Sequence, residues 1–275
     1  MLARPPFTFA VAFASTEGRS GGKLRIAVLF LSFFLSHTVL ASVFQNPVVL
    51  IHGYGPRPLV NMRKMQGVLV SQGVPPDDIL LLDYPQLETP AAILASTKAS
   101  LGGFMSRYPA GTHFDFITHS YGNFIGIYSI MELGLAPRVD HFIGLAGIAR
   151  GLNALTFCKL LGSCGKTLPQ LVPFMSPFLT DFYGRHADAV EKLNKCALYS
   201  PEDSIVSDPF DSVVIPGSKT ARLEKASHMA FIHDRDIFDI MTSVCYDQPL
   251  PPGVQRAFVR EEGARNATSE LQPQP

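Results

Sequence analysis

Short runs of consecutive apolar residues alternate along the chain with longer segments whose apolar residues recur at helical spacing. Pro47 to Ile51 (PVVLI) is β-branched and apolar throughout, and predicts a buried strand that ends at His52-Gly53. Asn61 to Gln72 has helical spacing and stops at Gly73. Ile79 to Leu82 (ILLL) predicts the next strand, and Pro90 to Tyr108 a helix with proline in its first turn. His113 to Thr118 (HFDFIT) predicts a third strand and Tyr121 to Leu133 the helix after it. Val139 to Leu145, Cys196 to Tyr199 and, more weakly, Arg222 to Lys225 complete about six strands, and Met229 to Val244 closes as a helix. Strands that are apolar on both faces and alternate with helices imply an α/β fold with a mostly parallel central sheet, covered by helices on both sides.

Two stretches break this rhythm. Residues 151–188, rich in Gly, Pro, Leu and Phe, read as an insertion above the carboxyl edge of the sheet. Its apolar residues (Leu152, Leu155, Phe157, Leu168, Leu171, Phe174, Phe178) fit either an acyl-binding wall or lid, or ordinary core. Residues 247–275 are polar and proline-containing, and read as a disordered tail with one sequon, Asn266-Ala267-Thr268.

Residues 1–41 read as an N-terminal extension with an export signal. Lys23 and Arg25 precede an apolar run from Ile26 to Leu35, and Val39-Leu40-Ala41 predicts cleavage before Ser42. The 22 residues before Lys23 are long for a signal's charged region and fit a start codon upstream of the one used. The alternative is an uncleaved membrane anchor, since Ile26 to Phe44 is just long enough to span a bilayer. The main domain is then 42–246, in an exported (periplasmic or secreted) or membrane-anchored protein.

Composition narrows the function classes. With 23 basic and 23 acidic residues the chain has no electrostatic footprint for nucleic acid. It has no metal-ligand cluster by spacing and no glycine-rich phosphate loop, so neither metal nor cofactor is expected. Its cysteines, Cys158, Cys164, Cys196 and Cys245, are even in number, as in an oxidising compartment. The near pair Cys158 and Cys164 predicts one small loop, leaving Cys196 for Cys245. Four buried thiols in a cytosolic protein are the alternative.

The candidate chemistry lies at Phe116-Ile117-Thr118-His119-Ser120-Tyr121-Gly122-Asn123. A strand ends, a serine follows at once, and a helix begins, which is the setting of a nucleophile elbow. The positions two before and two after the serine must be small, and Thr118 and Gly122 occupy them. The alternative is a Ser cap on an ordinary turn. A serine hydroxyl needs a base to take its proton and an acid to orient that base. The chain order Ser, acid, His leaves His228 and His233 of the eight histidines, and His228 stands where the last helix opens. The loop after Tyr199 offers Glu202, Asp203 and Asp208, of which Asp203 lies at the turn. An oxyanion hole would take the amide of Tyr121 and one from His52-Gly53-Tyr54-Gly55, assigned to Tyr54. His52 is expected to be support rather than a catalyst.

With these residues placed, the chain resembles the lipase branch of the α/β-hydrolases, especially small bacterial and secreted triacylglycerol lipases. Pro47 to Gly53, Thr118-His119-Ser120-Tyr121-Gly122, Tyr199 to Val206 and Ser227-His228 carry the resemblance, over roughly residues 45–246. Thr-His-Ser-x-Gly is itself a feature of that branch. Cys158, Cys164, Pro169-Gln170 and Ser176 to Leu179 resemble a disulfide-bearing segment of some members. The chain departs at Asn123, where many members have glycine, and at Tyr54 with Pro56-Arg57-Pro58. The resemblance implies cleavage of small-molecule or lipid esters through an acyl-serine, with a lipid interface as a further partner. Fold and triad do not choose between esters and the thioester, acyl-transfer or amide chemistries, and a catalytically silent binding protein is the reading from another class.

Overall fold

The computed structural model describes residues 43–56, 58–155, 164–173, 176–206, 209–254 and 258–261. The export segment and its cut, the sequon, Cys158, Phe157, Phe174 and Asp208 lie outside them.

Along the chain run β1 (Val48–Ile51), α1 (Pro58–Ser71), β2 (Ile79–Leu82), α2 (Pro90–Met105), β3 (Phe114–His119), α3 (Tyr121–Glu132), β4 (Val139–Leu145), α4 (Pro177–Lys192), β5 (Lys195–Tyr199), α5 (Pro209–Val213), β6 (Lys219–Leu223), α6 (Ala230–His233), α7 (Arg235–Cys245) and β7 (Phe258–Glu261). The sheet has the order β2-β1-β3-β4-β5-β6-β7. The first six strands are parallel, with registers such as Val49↔Leu80, Val49↔Phe116 and Ile143↔Cys196. All their carboxyl ends therefore reach one edge, where the loops collect.

The expected sheet is present, with three differences. β7 pairs antiparallel to β6 (Thr220↔Glu261), so the stretch expected to be a disordered tail contributes a seventh strand. β6 begins at Lys219 and ends at Leu223, short of the expected Lys225. It has no apolar run to mark it, and its bounds come from pairing with β5. The last helix is two: Asp234, with extended backbone, closes α6 and caps α7 by accepting the Asp236 amide (3.0 Å).

Helices on each face bury a separate core layer, and the strands' alternation feeds both. Val49, Ile51, Phe114 and Phe116 pack with α2, α3 and α4, while Val48, Leu50 and Ile117 pack with α1, α6 and α7. Every residue of β1, β3 and β5 is buried, as expected for a sheet covered on both sides.

The insertion expected at 151–188 gives way to regular structure at its second half, where α4 makes the crossover from β4 to β5. Ser176 caps it by accepting the Leu179 amide (3.1 Å), with Pro177 in the first turn. At its other end the buried Lys195 ammonium donates to the carbonyls of Val190, Glu191 and Leu193 (2.6, 2.8 and 3.0 Å). These are carbonyls that a helix end leaves unsatisfied or that lead into β5. Of the apolar residues weighed as lid or core, Leu152, Leu155, Leu168 and Leu171 are buried and Phe178 packs against that core.

Cys196 of β5 and Cys245, the last residue of α7, form the expected disulfide. The Cys158–Cys164 pairing falls on a residue outside the described ones. No helix among the described residues is long and apolar enough to cross a membrane.

Candidate active site

Ser120 sits between β3 and α3 with φ 55° and ψ −128°. A positive φ is unfavourable for any residue with a Cβ, at about 1–3 kcal/mol, and persists only where the surroundings impose it. Here three backbone hydrogen bonds do so: Ser120 N–H to the Leu145 carbonyl (3.1 Å), and the amides of Asn123 (3.0 Å) and Ile148 (3.3 Å) to the Ser120 carbonyl. The turn brings α3 hard against β1. A Cβ on Gly122 would stand 2.2 Å from the His52 oxygen and 2.6 Å from that of Ile51. Only glycine fits.

Thr118, at the other small position, is accommodated by its neighbours. Its hydroxyl donates to the Ile143 carbonyl (2.8 Å) and accepts from Asn123 Nδ2 (2.9 Å). Its methyl occupies space left free at Gly126, where a Cβ would come within 2.9 Å of it. Asn123 is buried and also accepts the Ala149 amide (3.1 Å), which ties the elbow to the segment after β4. Its oxygen crowds Gly147, where a Cβ would approach to 2.3 Å. Nothing in the sequence pattern marked this role.

His228 and Asp203, from the loops after β6 and β5, are both buried and meet at 2.8 Å, Nδ1 to Oδ2. The other Asp203 oxygen accepts the amides of Ile205 (2.8 Å) and Val206 (3.0 Å). Burial raises the Asp203 pKa, but the His228 contact and the two amides outweigh it, and the carboxyl is held below its ordinary value. Glu202 is exposed and His233 ends α6 at the surface, so neither joins this pair.

His119 links the pair to the elbow. Its Nε2 donates to the His228 carbonyl (3.0 Å), and the two rings lie 4.7 Å apart. Burial, reinforced by the adjacent His228, pushes its pKa down to about 3, so it is neutral. It therefore adds no positive charge beside His228.

The loop after β1 passes close over the serine. A Cβ on Gly53 would lie 2.7 Å from the Ser120 Cβ. Tyr54 is exposed, and the buried Tyr121 ring lies edge-on to it at 6.5 Å. His52 is buried. Its Nδ1 donates to the Gly53 carbonyl (2.8 Å), its Nε2 lies 3.2 Å from Asp83, and its ring stacks on Tyr84 at 4.3 Å. Burial lowers its pKa.

Among the described residues one group could offer metal ligands: Asp115, Asp140 and His141, at the opposite edge of the sheet. Asp115 is already satisfied by Asn46 (3.1 Å), His141 (3.0 Å) and Tyr246 (3.1 Å).

No family model and no curated protein matches the chain. Solved structures do. A lipase from Bacillus licheniformis, BlEst2, superposes with a TM-score of 0.52 at 14% identity over 72% of this chain and 90% of that one. Phospholipase PlaB from Legionella pneumophila matches at 20% identity and a TM-score of 0.44, over 61% of this chain and only 42% of its own length. A bromoperoxidase from Bacillus anthracis matches at 13% identity and 0.49, over 74% and 92%. With six parallel strands in this order, helices on both faces and an overall superposition on the Bacillus licheniformis lipase, the chain has the α/β-hydrolase fold.

Proposed function

We propose that the protein is a serine hydrolase that cleaves carboxylic esters through an acyl-Ser120 intermediate. His228 takes the Ser120 proton as the hydroxyl attacks the ester carbonyl. Asp203 keeps the His228 proton on Nδ1, leaving Nε2 as the base, and stabilises the imidazolium that forms. The developing oxyanion is held by the amides of Tyr54 and Tyr121. His228 then protonates the departing alcohol, and water repeats the sequence to release the acid. No cofactor is needed.

One observation carries this reading. A serine in a backbone conformation it would not adopt unaided is linked, through the adjacent His119 and its hydrogen bond to the His228 carbonyl, to a buried His228–Asp203 pair whose carboxylate is kept ionised. Such strain and such a perturbed group, found together, are more often functional than structural. An apolar acyl group suits the rim. Tyr54, Leu87, Ile205 and Phe210 follow the carboxyl ends of β1, β2 and β5 and are exposed there. We place the activity in an oxidising compartment, as the Cys196–Cys245 disulfide favours.

A fluorophosphonate probe tests the reading. The wild-type protein is expected to take one adduct on Ser120 and Ser120→Ala none. No adduct on folded wild-type protein returns the chain to the class of silent binding proteins. A graded series of nitrophenyl esters, with matched thioesters and amides and with or without dispersed lipid, then reads out the acyl group and bond type. Faster turnover of thioesters or amides than of esters would replace the ester assignment.

A further inference from the structure

The loop that carries Tyr54 is held at His52 and Gly53, but the residue after Tyr54 has no side chain to fix it. Gly55 has φ +153°, a conformation that side chains rarely adopt. It also has open space where a Cβ would stand, so no close neighbour demands glycine there. A glycine with such freedom rests in one conformation only if something outside it imposes that conformation.

Gln86, in the loop between β2 and α2, supplies the constraint. Its Oε1 accepts the Gly55 amide (2.9 Å) and its Nε2 donates to the Gly55 carbonyl (2.8 Å). This reciprocal pair holds one residue at both its backbone polar groups. It takes the Gly55 amide out of any role in binding an oxyanion. It also fixes the residue directly after Tyr54, and so the plane of the peptides on either side.

Gln86 is itself anchored from both directions. On the strand side, Tyr84 donates to the His52 carbonyl (2.8 Å). On the other side, the loop is stapled to the segment after β4. The Lys166 amide donates to the Leu87 carbonyl (2.9 Å), Thr167 Oγ1 donates to the Glu88 carbonyl (2.6 Å), and Lys166 Nζ pairs with Glu88 (2.8 Å). Gly165 lies so close that a Cβ there would come within 2.7 Å of Leu87 Cα. The carboxamide therefore reaches Gly55 from a braced loop rather than from a free one.

We infer that Gln86 is a positioning residue for the oxyanion hole, setting the Tyr54 amide toward Ser120 through its double hydrogen bond to Gly55. It does not touch the reacting atoms. The inference rests on the serine-hydrolase reading, and labelling of wild-type Ser120 by the fluorophosphonate secures that reading before any Gln86 variant is interpreted.

The test is Gln86→Met, which keeps the length of the side chain and removes both hydrogen bonds. It is assayed with a nitrophenyl ester and with the matching thionoester. The larger sulfur of a thionoester accepts hydrogen bonds poorly, so its turnover draws little on an oxyanion hole. Misplacing one donor is expected to lower ester kcat by about ten- to a hundredfold, with KM within about threefold. Thionoester kcat should change far less, so the ester-to-thionoester ratio collapses while the melting temperature stays within a few degrees. A parallel fall in both substrates, or an ester kcat within about threefold of wild type, overturns the inference. Gln86→Glu provides the second variant should Gln86→Met not fold. It keeps an acceptor for the Gly55 amide and loses the donor to its carbonyl, while its added charge acts on the anionic ester and thionoester intermediates alike and so leaves their ratio to report the lost hydrogen bond. The same selective loss on the ester is expected, and its absence overturns the inference equally.

Discussion

Replacing Asp203 by Asn changes one atom, and the surroundings decide which way that atom points. One Asp203 oxygen accepts two backbone amides, from Ile205 at 2.8 Å and Val206 at 3.0 Å. An NH2 group in that place would set donor against donor twice, inside a buried loop. The oxygen of the new carboxamide must therefore keep the amides, and its NH2 must face His228 Nδ1 across the present 2.8 Å. Nδ1 can meet a donor only as an acceptor, so the ring proton moves to Nε2, the nitrogen that should take the serine's proton. On the proposed mechanism, a triad locked in the wrong tautomer loses about four powers of ten in kcat, as Asp→Asn does in a serine-protease triad. That corresponds to about 5 kcal/mol of transition-state stabilisation. Because no backbone hydrogen bond is lost, the urea midpoint should shift little. Asp203→Ala leaves the ring free to choose either tautomer, and should therefore be no less active than Asp203→Asn despite the larger deletion. The assay is kcat and KM on a nitrophenyl ester for all three proteins beside urea unfolding. Turnover by Asp203→Asn within about tenfold of wild type would refute the reasoning, since a tautomer forced by two amides cannot be nearly harmless.

The elbow, the disulfide and His141 each give a further outcome. Gly122→Ala places a Cβ 2.2 Å from the His52 oxygen and 2.6 Å from the Ile51 oxygen, both rigid backbone, and should cost about 3 kcal/mol or more in urea unfolding; a loss below about 1 kcal/mol would mean the elbow yields. The Cys196–Cys245 bridge spans 49 residues, so by loop entropy its replacement by two serines should lower stability by about 4 kcal/mol, read by denaturant titration against the oxidised protein. Burial lowers the His141 pKa, but Asp115 and Asp140 outweigh it and the net shift is upward. Its folded value thus exceeds its unfolded value, and its stabilisation is present below the unfolded pKa and is lost as pH rises through the folded one. The stability gap between wild type and His141→Gln should be wider at roughly pH 5.5 than at 8.5, and an equal gap at both would dismiss the charge on His141 as the cause.

The strands, the setting of the candidate nucleophile and the chain order of the triad candidates are legible in the sequence. Ile79–Leu82 and Val139–Leu145 could be read residue for residue, β2 because all four of its residues are apolar and β4 because its second half, Phe142–Leu145, is a buried run without a charged residue. Ser120 and Gly122 could be read because a strand-to-helix turn this tight admits few residues, and those residues are diagnostic. Asp203 and His228 were singled out as candidates by order and loop position, and the fold brings these two side chains together.

The rest depends on contacts between residues far apart in the chain. β7 and the true bounds of β6 come from pairing, and an edge strand needs no apolar run to be paired. The break at Asp234 comes from a cap that a continuous apolar stripe hides. The choice of Asp203 over Glu202, and of His228 over His233, is a matter of which side chains meet at 2.8 Å in a buried place. Asn123 and Gln86 were invisible for a related reason. A carboxamide carries no signature in sequence, since what it does depends on which backbone groups the fold brings to it. In the folded chain those groups are the Ala149 amide, 26 residues beyond Asn123, and both polar groups of Gly55, 31 residues before Gln86. Local pattern records what each residue must avoid, burial or exposure, and only the packed chain records what it meets.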